Sequence, residues 1–208
     1  IDISEGLPKR YFKSFAPSHF SESRVYTVLN GIKIDEFAPM IFVSDDYGNN
    51  WRNISSDIPV SPVNVILEDP VYEEVLYAGT FNGVMVSVDR GNSWHVLGNG
   101  IPNSFVADMT IMEREADLIA ATHGRGIFKL DLEPVYSYLK SGQDSSRILY
   151  ITKANLPEAD ASGDKPDMST HYDIKFHFFI PDQSLMNFEI INENNTVVFS
   201  DKLKIKSG

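Results

Sequence analysis

The 208-residue sequence predicts an all-β chain assembled from repeated four-stranded units, and three observations predict it. A pattern Ser-x-Asp-x-Gly-x-x-Trp occurs twice, at Ser44, Asp46, Gly48 and Trp51 and again at Ser87, Asp89, Gly91 and Trp94, each pair 43 residues apart. A fixed period of this length marks a repeat architecture. Short apolar runs with β-branched and aromatic residues lead into each copy and away from it, as buried strands require. The triplets Gly6-Leu7-Pro8, Asp57-Ile58-Pro59 and Gly100-Ile101-Pro102 recur where one unit would cross to the next.

Taken in order, residues 1–10 read as the tail of a preceding unit. The first unit places strands at 11–16, 24–29, 39–44 and 51–54, with a hairpin turn at Asn30-Gly31 and a long connection over 32–39. The second places them at 63–68, 75–80, 83–88 and 94–97. The third offers 107–112, 118–122 and 126–132, but Leu130 stands where the repeat would put the Ser of the pattern, and no fourth strand follows. Beyond Glu133 the composition changes. Residues 135–140 suit one helical turn, 141–146 a polar linker, 147–153 a strand, and 155–170 a mobile loop rich in Pro, Asp, Ser and Gly. Ile174, Phe176, Phe178 and Ile180 share one strand face. Residues 188–191 and 196–199 form a hairpin about 192–195, followed by Leu203 and Ile205 alternating with lysines. The expected domains are therefore 1–133 (the repeated units), 134–146 (a linker) and 147–208 (a small antiparallel β-sandwich-like, immunoglobulin-like domain short of strands and cut at its end).

The residue types of the repeated turn follow from its physics. Short Ser and Asp side chains hydrogen-bond neighbouring amides where ladder bonds are lost. Gly48 and Gly91 fit a position with positive φ, which costs glycine nothing. Trp51 and Trp94 open the outgoing strand with a large apolar face and one N–H that needs a partner.

This pattern resembles the Asp-box, or BNR repeat, of sialidases, bacterial xyloglucanases and sortilin-type receptors, all of them β-propellers. Residues 37–51, 63–70, 76–80 and 121–128 together resemble the closing blades of large secreted bacterial Asp-box proteins described as glycosyl-hydrolase-like, over roughly residues 7–133. The resemblance implies a partial β-propeller of about three blades, with the box as a structural turn between the third and fourth strands of a blade. It also implies an extracellular or cell-surface setting, on a bacterial outer surface or in the periplasm. Propellers close with about four to eight blades. Exposed blade faces and edges invite association, so the remainder of the propeller, in further sequence or in a partner chain, is expected to complete this one. The chain begins at Ile1 without Met and reads as a piece of a longer polypeptide.

The net charge of −11 argues against a nucleic-acid partner and against docking on anionic lipid. No apolar run approaches the ~18 residues of a membrane span. Zero Cys excludes disulfides and thiolate metal sites, and no phosphate loop, nucleophile elbow or cofactor fingerprint is present. No cofactor and no metal are expected. Acidic loops at Asp35-Glu36 and 158–167 lack the EF-hand spacing and read as solvated charge.

Glycoside hydrolysis would need a pair of carboxylates. Candidates are Asp45/Asp46, Glu68/Asp69, Glu73/Glu74, Asp108, Glu113 and Asp117, each with a structural reading that suits it at least as well: Asp46 belongs to the box, and Asp69 before Pro70 shapes a turn. Thr122-His123-Gly124-Arg125-Gly126 is the most unusual stretch, and His123 and Arg125 are the candidate ligand-face residues. It occupies the inter-strand turn that Thr80-Phe81-Asn82-Gly83 occupies one repeat earlier, with one residue inserted. Arg125 is expected to tie the last blade to a neighbour; the alternative is a bidentate clamp on a ligand carboxylate. Two classes of function stand: a propeller segment that binds a protein or glycan, and part of a glycoside hydrolase whose catalytic carboxylates lie mainly on other blades.

Overall fold

The computed structural model describes residues 1–98, 101, 103–142, 150–151, 176–177, 179–180, 184–191, 194 and 196–205. Strands β1 (Tyr11–Pro17), β2 (Val25–Asn30), β3 (Ile41–Ser44) and β4 (Arg52–Asn53) form one antiparallel sheet in chain order. Strands β5 (Val63–Glu68), β6 (Leu76–Thr80), β7 (Gly83–Ser87) and β8 (His95–Val96) form a second with the same meander. Strands β9 (Val106–Met112), β10 (Asp117–Thr122) and β11 (Gly126–Asp131) form a third of three strands. These are consecutive blades of a β-propeller. β5 packs on β1 and β2, and β9 packs on β5 and β6.

The core lies between blades, which is why the strand runs are apolar on both faces. Tyr26, Val28 and Ile41 of the first blade share one buried cluster with Val63, Ile66 and Leu76 of the second, and Trp94 joins it. Gly79 lets the second and third blades approach closely: a Cβ there would fall 2.5 Å from Val65 and 2.8 Å from Val106.

The two Ser-x-Asp-x-Gly turns have the same geometry. Ser44 Oγ donates to Asp46 Oδ1 (2.9 Å) and accepts from the Gly48 amide (2.8 Å). Ser87 Oγ does the same toward Asp89 (2.8 Å) and Gly91 (2.8 Å). The carboxylate then takes the next amides, those of Asn50 (2.8 Å) and Ser93 (2.9 Å). The backbone passes through two successive left-handed residues, Tyr47 (φ 60°) with Gly48 (φ 86°) and Arg90 (φ 60°) with Gly91 (φ 81°). Steric crowding makes that conformation costly for side chains other than Gly, Asn or Asp. The amides of Tyr47 and Arg90 donate outside the turn, Tyr47 to the Ser23 carbonyl (3.0 Å) and Arg90 to the Glu74 carbonyl (2.8 Å).

The turn clamps each blade onto the segment before it. Trp94 Nε1–H donates to the Ile54 carbonyl (2.6 Å), and a Cβ on Gly91 would strike Ile54 at 2.9 Å. One repeat earlier Trp51 Nε1–H donates to the Ile3 carbonyl (2.8 Å), and a Cβ on Gly48 would meet Ile3 at 2.8 Å. Leu7 packs beside Trp51 and Ile58 joins the cluster of Trp94, so the repeated apolar residue before proline is part of the same joint. In the third blade Leu130 replaces the turn. It is buried, and the tip of its side chain packs against Gly98, where a Cβ would lie 2.5 Å from its Cδ2.

Two boundary expectations change. The 32–39 connection contains a 3-10 helix at Ile32–Ile34, closed by a Gly31–Glu36 bridge rather than a tight Asn-Gly hairpin. Residues Glu133–Lys140 form a helix, α1, of two turns rather than one. Pro134 suits its first turn, where the missing N–H has no helical partner to lose. The chain divides into two units, Ile1–Leu132 with Pro181–Gly208, and Glu133–Ile180. In the second unit Tyr138 of α1 meets Phe179 edge-on (ring centroids 5.5 Å apart), and β12 (Tyr150–Ile151) pairs with β13 (Phe176–His177). In the first, β14 (Ser184–Ile191) and β15 (Val197–Ile205) form one long hairpin, so Leu203 and Ile205 continue the strand of Phe199. The expected loop over 155–170 lies outside the described residues.

Replacing Trp94 by Ala removes a buried ring and orphans the Ile54 carbonyl. We expect Trp94→Ala to cost about 3–5 kcal/mol in chemical denaturation; an unchanged midpoint would show that the ring is not structural. Asp89 adds a pH dependence. Burial alone would raise its pKa, but the hydrogen bonds from the Ser93 side chain, the Ser93 amide and Ser87 outweigh it and hold the carboxyl below its usual range. A depressed pKa stabilises the fold above the unfolded value near ~4 and is lost as pH falls through the folded value. Wild type should therefore lose more stability than Asp89→Asn between about pH 5 and pH 2, measured by melts across that range.

Candidate ligand-binding face

Successive connections of a meander alternate between the two ends of its sheet. One end carries the β1–β2 and β5–β6 connections together with the Ser-Asp-Gly-Trp turns. The other carries the 31–40, 80–83 and 122–126 turns and the crossovers between blades.

The turn end is closed by an ionic network. Glu68, at the end of β5, is buried, and its carboxylate accepts from Tyr26 Oη (2.9 Å), Ser18 Oγ (2.9 Å) and the His19 amide (2.6 Å) of the first blade. Burial, followed by the negative charge of Glu68, pushes the Tyr26 phenol upward. Arg24 pairs with Asp45 and with Glu73 (2.8 Å), and Glu73 also pairs with Arg90 (2.7 Å). Asp69 accepts from the Val71 and Tyr72 amides and from the Tyr77 hydroxyl. Asp117 pairs with Lys129 at 2.7 Å. Spacing alone did not reveal the Glu68–Tyr26 contact, because the partners sit on different blades and outside the repeated pattern. The geometry uses these carboxylates to join and shape blades, each accepting from at least one donor on the protein.

The opposite end is different. Thr80 Oγ1 donates to the Gly83 carbonyl (2.9 Å), and Thr122 Oγ1 donates to the Gly126 carbonyl (2.7 Å), one residue further on. The Phe81 amide donates to Pro62 (3.1 Å) and the His123 amide to Phe105 (2.9 Å), so each turn is tied to the crossover that enters its blade. Phe81 meets Phe105 edge-on with ring centroids 4.5 Å apart, and Phe105 meets His123 edge-on at 5.8 Å. The two phenylalanines are part-buried, while His123 and Arg125 are exposed. Among the described residues no acceptor hydrogen-bonds or pairs with the Arg125 guanidinium. Arg125 is exposed at the tip of its turn, and its side chain bonds no residue of the described blades. Phe81 and Phe105 escaped the sequence reading, although Pro62 and Phe105 stand one repeat apart. Beside the 80–83 turn a pocket of about 360 Å³ opens between the two crossovers and β7–β8.

No family model matches this chain, and no curated protein matches it. Among solved structures it is similar to the GH74 enzyme of Niastella koreensis, with 14% identity over 88% of this chain and 25% of that one and a TM-score of 0.49. It is also similar to the GH74 xyloglucanase of Xanthomonas campestris (12% identity, 53% and 19% covered, TM-score 0.42) and to YCF48 bound to D1 peptide (14% identity, 59% and 37% covered, TM-score 0.42). The chain spans about a quarter of the length of the first of these.

The buried joint at Glu68 yields a graded expectation. Glu68→Ala leaves Tyr26 and Ser18 without their acceptor and should cost roughly 3 kcal/mol or more. Tyr26→Phe removes one donor and should cost about 1–2 kcal/mol. Equal losses, read from urea midpoints, would contradict a network centred on the carboxylate.

Proposed function

We propose that this chain is a segment of a secreted or cell-surface Asp-box β-propeller that acts as a binding module, recognising an acidic glycan or protein segment through the end that carries His123 and Arg125. On this reading residues 44–51 and 87–94 are Asp-boxes. Their repeated turn geometry supports that assignment, as does their place between the third and fourth strands of each blade. The remainder of the propeller completes the blade faces. Exposed Tyr11, Phe12 and Phe15 on β1 and Ile127 on β11 supply apolar surface for it.

The observation that carries the binding reading is the exposed, unpartnered guanidinium of Arg125 beside the Phe81–Phe105–His123 ring cluster. A planar fork of donors next to aromatic edges suits bidentate capture of a carboxylate. On the other end Glu68 and Glu73 bond across to the first blade, which supports a structural rather than a hydrolytic role for these two carboxylates.

Arg125→Ala and Arg125→Lys should melt like wild type, because no protein contact is lost. Both should bind acidic oligosaccharides or acidic peptides on an array at least about tenfold more weakly, since Lys lacks the fork. A large fall in melting temperature with binding intact would overturn the assignment.

A further inference from the structure

From the chemistry of its walls, we infer that the pocket beside the 80–83 turn is a docking site for an extended peptide that inserts one uncharged aliphatic side chain. Buried Val84, Met85 and Leu97 contribute apolar walls, and exposed Asn82 and Asn103 stand among its lining residues. Among the described lining residues none is charged and none is aromatic, in a chain of net charge −11. A charged group would therefore lose its hydration there without a counter-ion. A sugar ring would find no aromatic plate to cover its C–H face.

Two further observations point to a peptide. An Asn side-chain amide carries both a donor and an acceptor, the complement of a peptide backbone unit. Lining residue Val96 belongs to β8, the outermost strand of its sheet, and no further strand borders it among the described residues. An extended segment can lie along such an edge while alternate side chains point inward. Ser61, also a lining residue, is buried with a hydroxyl that has no hydrogen-bond partner among the described residues. A buried hydroxyl without a partner costs stability, and an incoming carbonyl that accepted from it would recover that cost. The volume of about 360 Å³ lies within the range of sites that hold small ligand groups. The inference rests on the reading of this end as the ligand face, but it invokes neither His123 nor Arg125.

The test pans a random linear peptide library on the full chain and titrates the enriched peptides, labelled, by fluorescence anisotropy. We expect them to share one Leu, Ile or Met position with uncharged neighbours, and to lose binding when that residue becomes Asp. Asn103→Ala and Asn82→Asp, both at exposed positions, should weaken binding about tenfold with unchanged melting, while Arg125→Ala leaves it intact. Peptides without a shared aliphatic position, binding indifferent to both Asn substitutions, or capture only of neutral oligosaccharides would each overturn the inference. Loss of acidic ligands in Arg125→Ala with the Asn variants unaffected would remove the pocket and leave the face. The reverse result would leave the pocket and remove Arg125.

Discussion

The contact on which the structure depends is the indole N–H of Trp94 donating to the Ile54 carbonyl, with Gly91 pressed against the Ile54 side chain. Each blade alone is a small twisted sheet whose apolar faces have nothing to bury against. The indole adds area and a directional bond in one side chain, and both fall on the outer edge of the preceding unit. Its repetition at Trp51 and Ile3 shows that the joint belongs to the repeat, not to one pair of blades. The tight turn beneath it follows from the same need. Two consecutive left-handed residues bring the tryptophan back over the neighbour, and the Ser and Asp oxygens replace the amide partners that such a turn forfeits.

Toward the inner strands the joint is made differently. There the blades meet through Glu68, Tyr26 and Ser18, a buried carboxylate surrounded by donors, where hydrocarbon packing alone would have sufficed for burial. Breaking such a joint is costly, because removing one of its partners leaves a buried polar group unpaired. The outer clamp and the polar inner joint together hold the first two blades against each other, whereas the second and third meet through Gly79 and Asn64 against Val106.

This division also separates the two ends of the blades. At the turn end, Arg24, Asp45, Glu68, Glu73 and Arg90 are mutually engaged. At the other end, the turns are held by threonine hydroxyls, main-chain bonds and the Phe81–Phe105–His123 ring contacts, so the Asn82 and Arg125 side chains at their tips have no bond to the described fold. Loops relieved of structural work are where recognition residues accumulate. Arg125, His123 and the pocket beside Asn82 all lie there.

The sequence by itself determined the all-β class, the 43-residue repeat, the strand order of the second blade to within about a residue, and the missing turn in the third. It could do so because these depend on local chemistry: apolar runs, a glycine at positive φ, and Ser and Asp bonding to amides within a few residues. It also matched the Thr80 and Thr122 turns with their one-residue difference, which is local as well. Only the tertiary structure decided that each tryptophan serves the preceding unit, that Glu68 meets Tyr26 rather than a second carboxylate, and that Arg125 makes no inter-blade tie among the described residues. Those outcomes hinge on which strands from distant parts of the chain lie side by side. A side chain's reach across a blade joint is set by the packing distance and twist of two sheets, and no spacing along the chain records either.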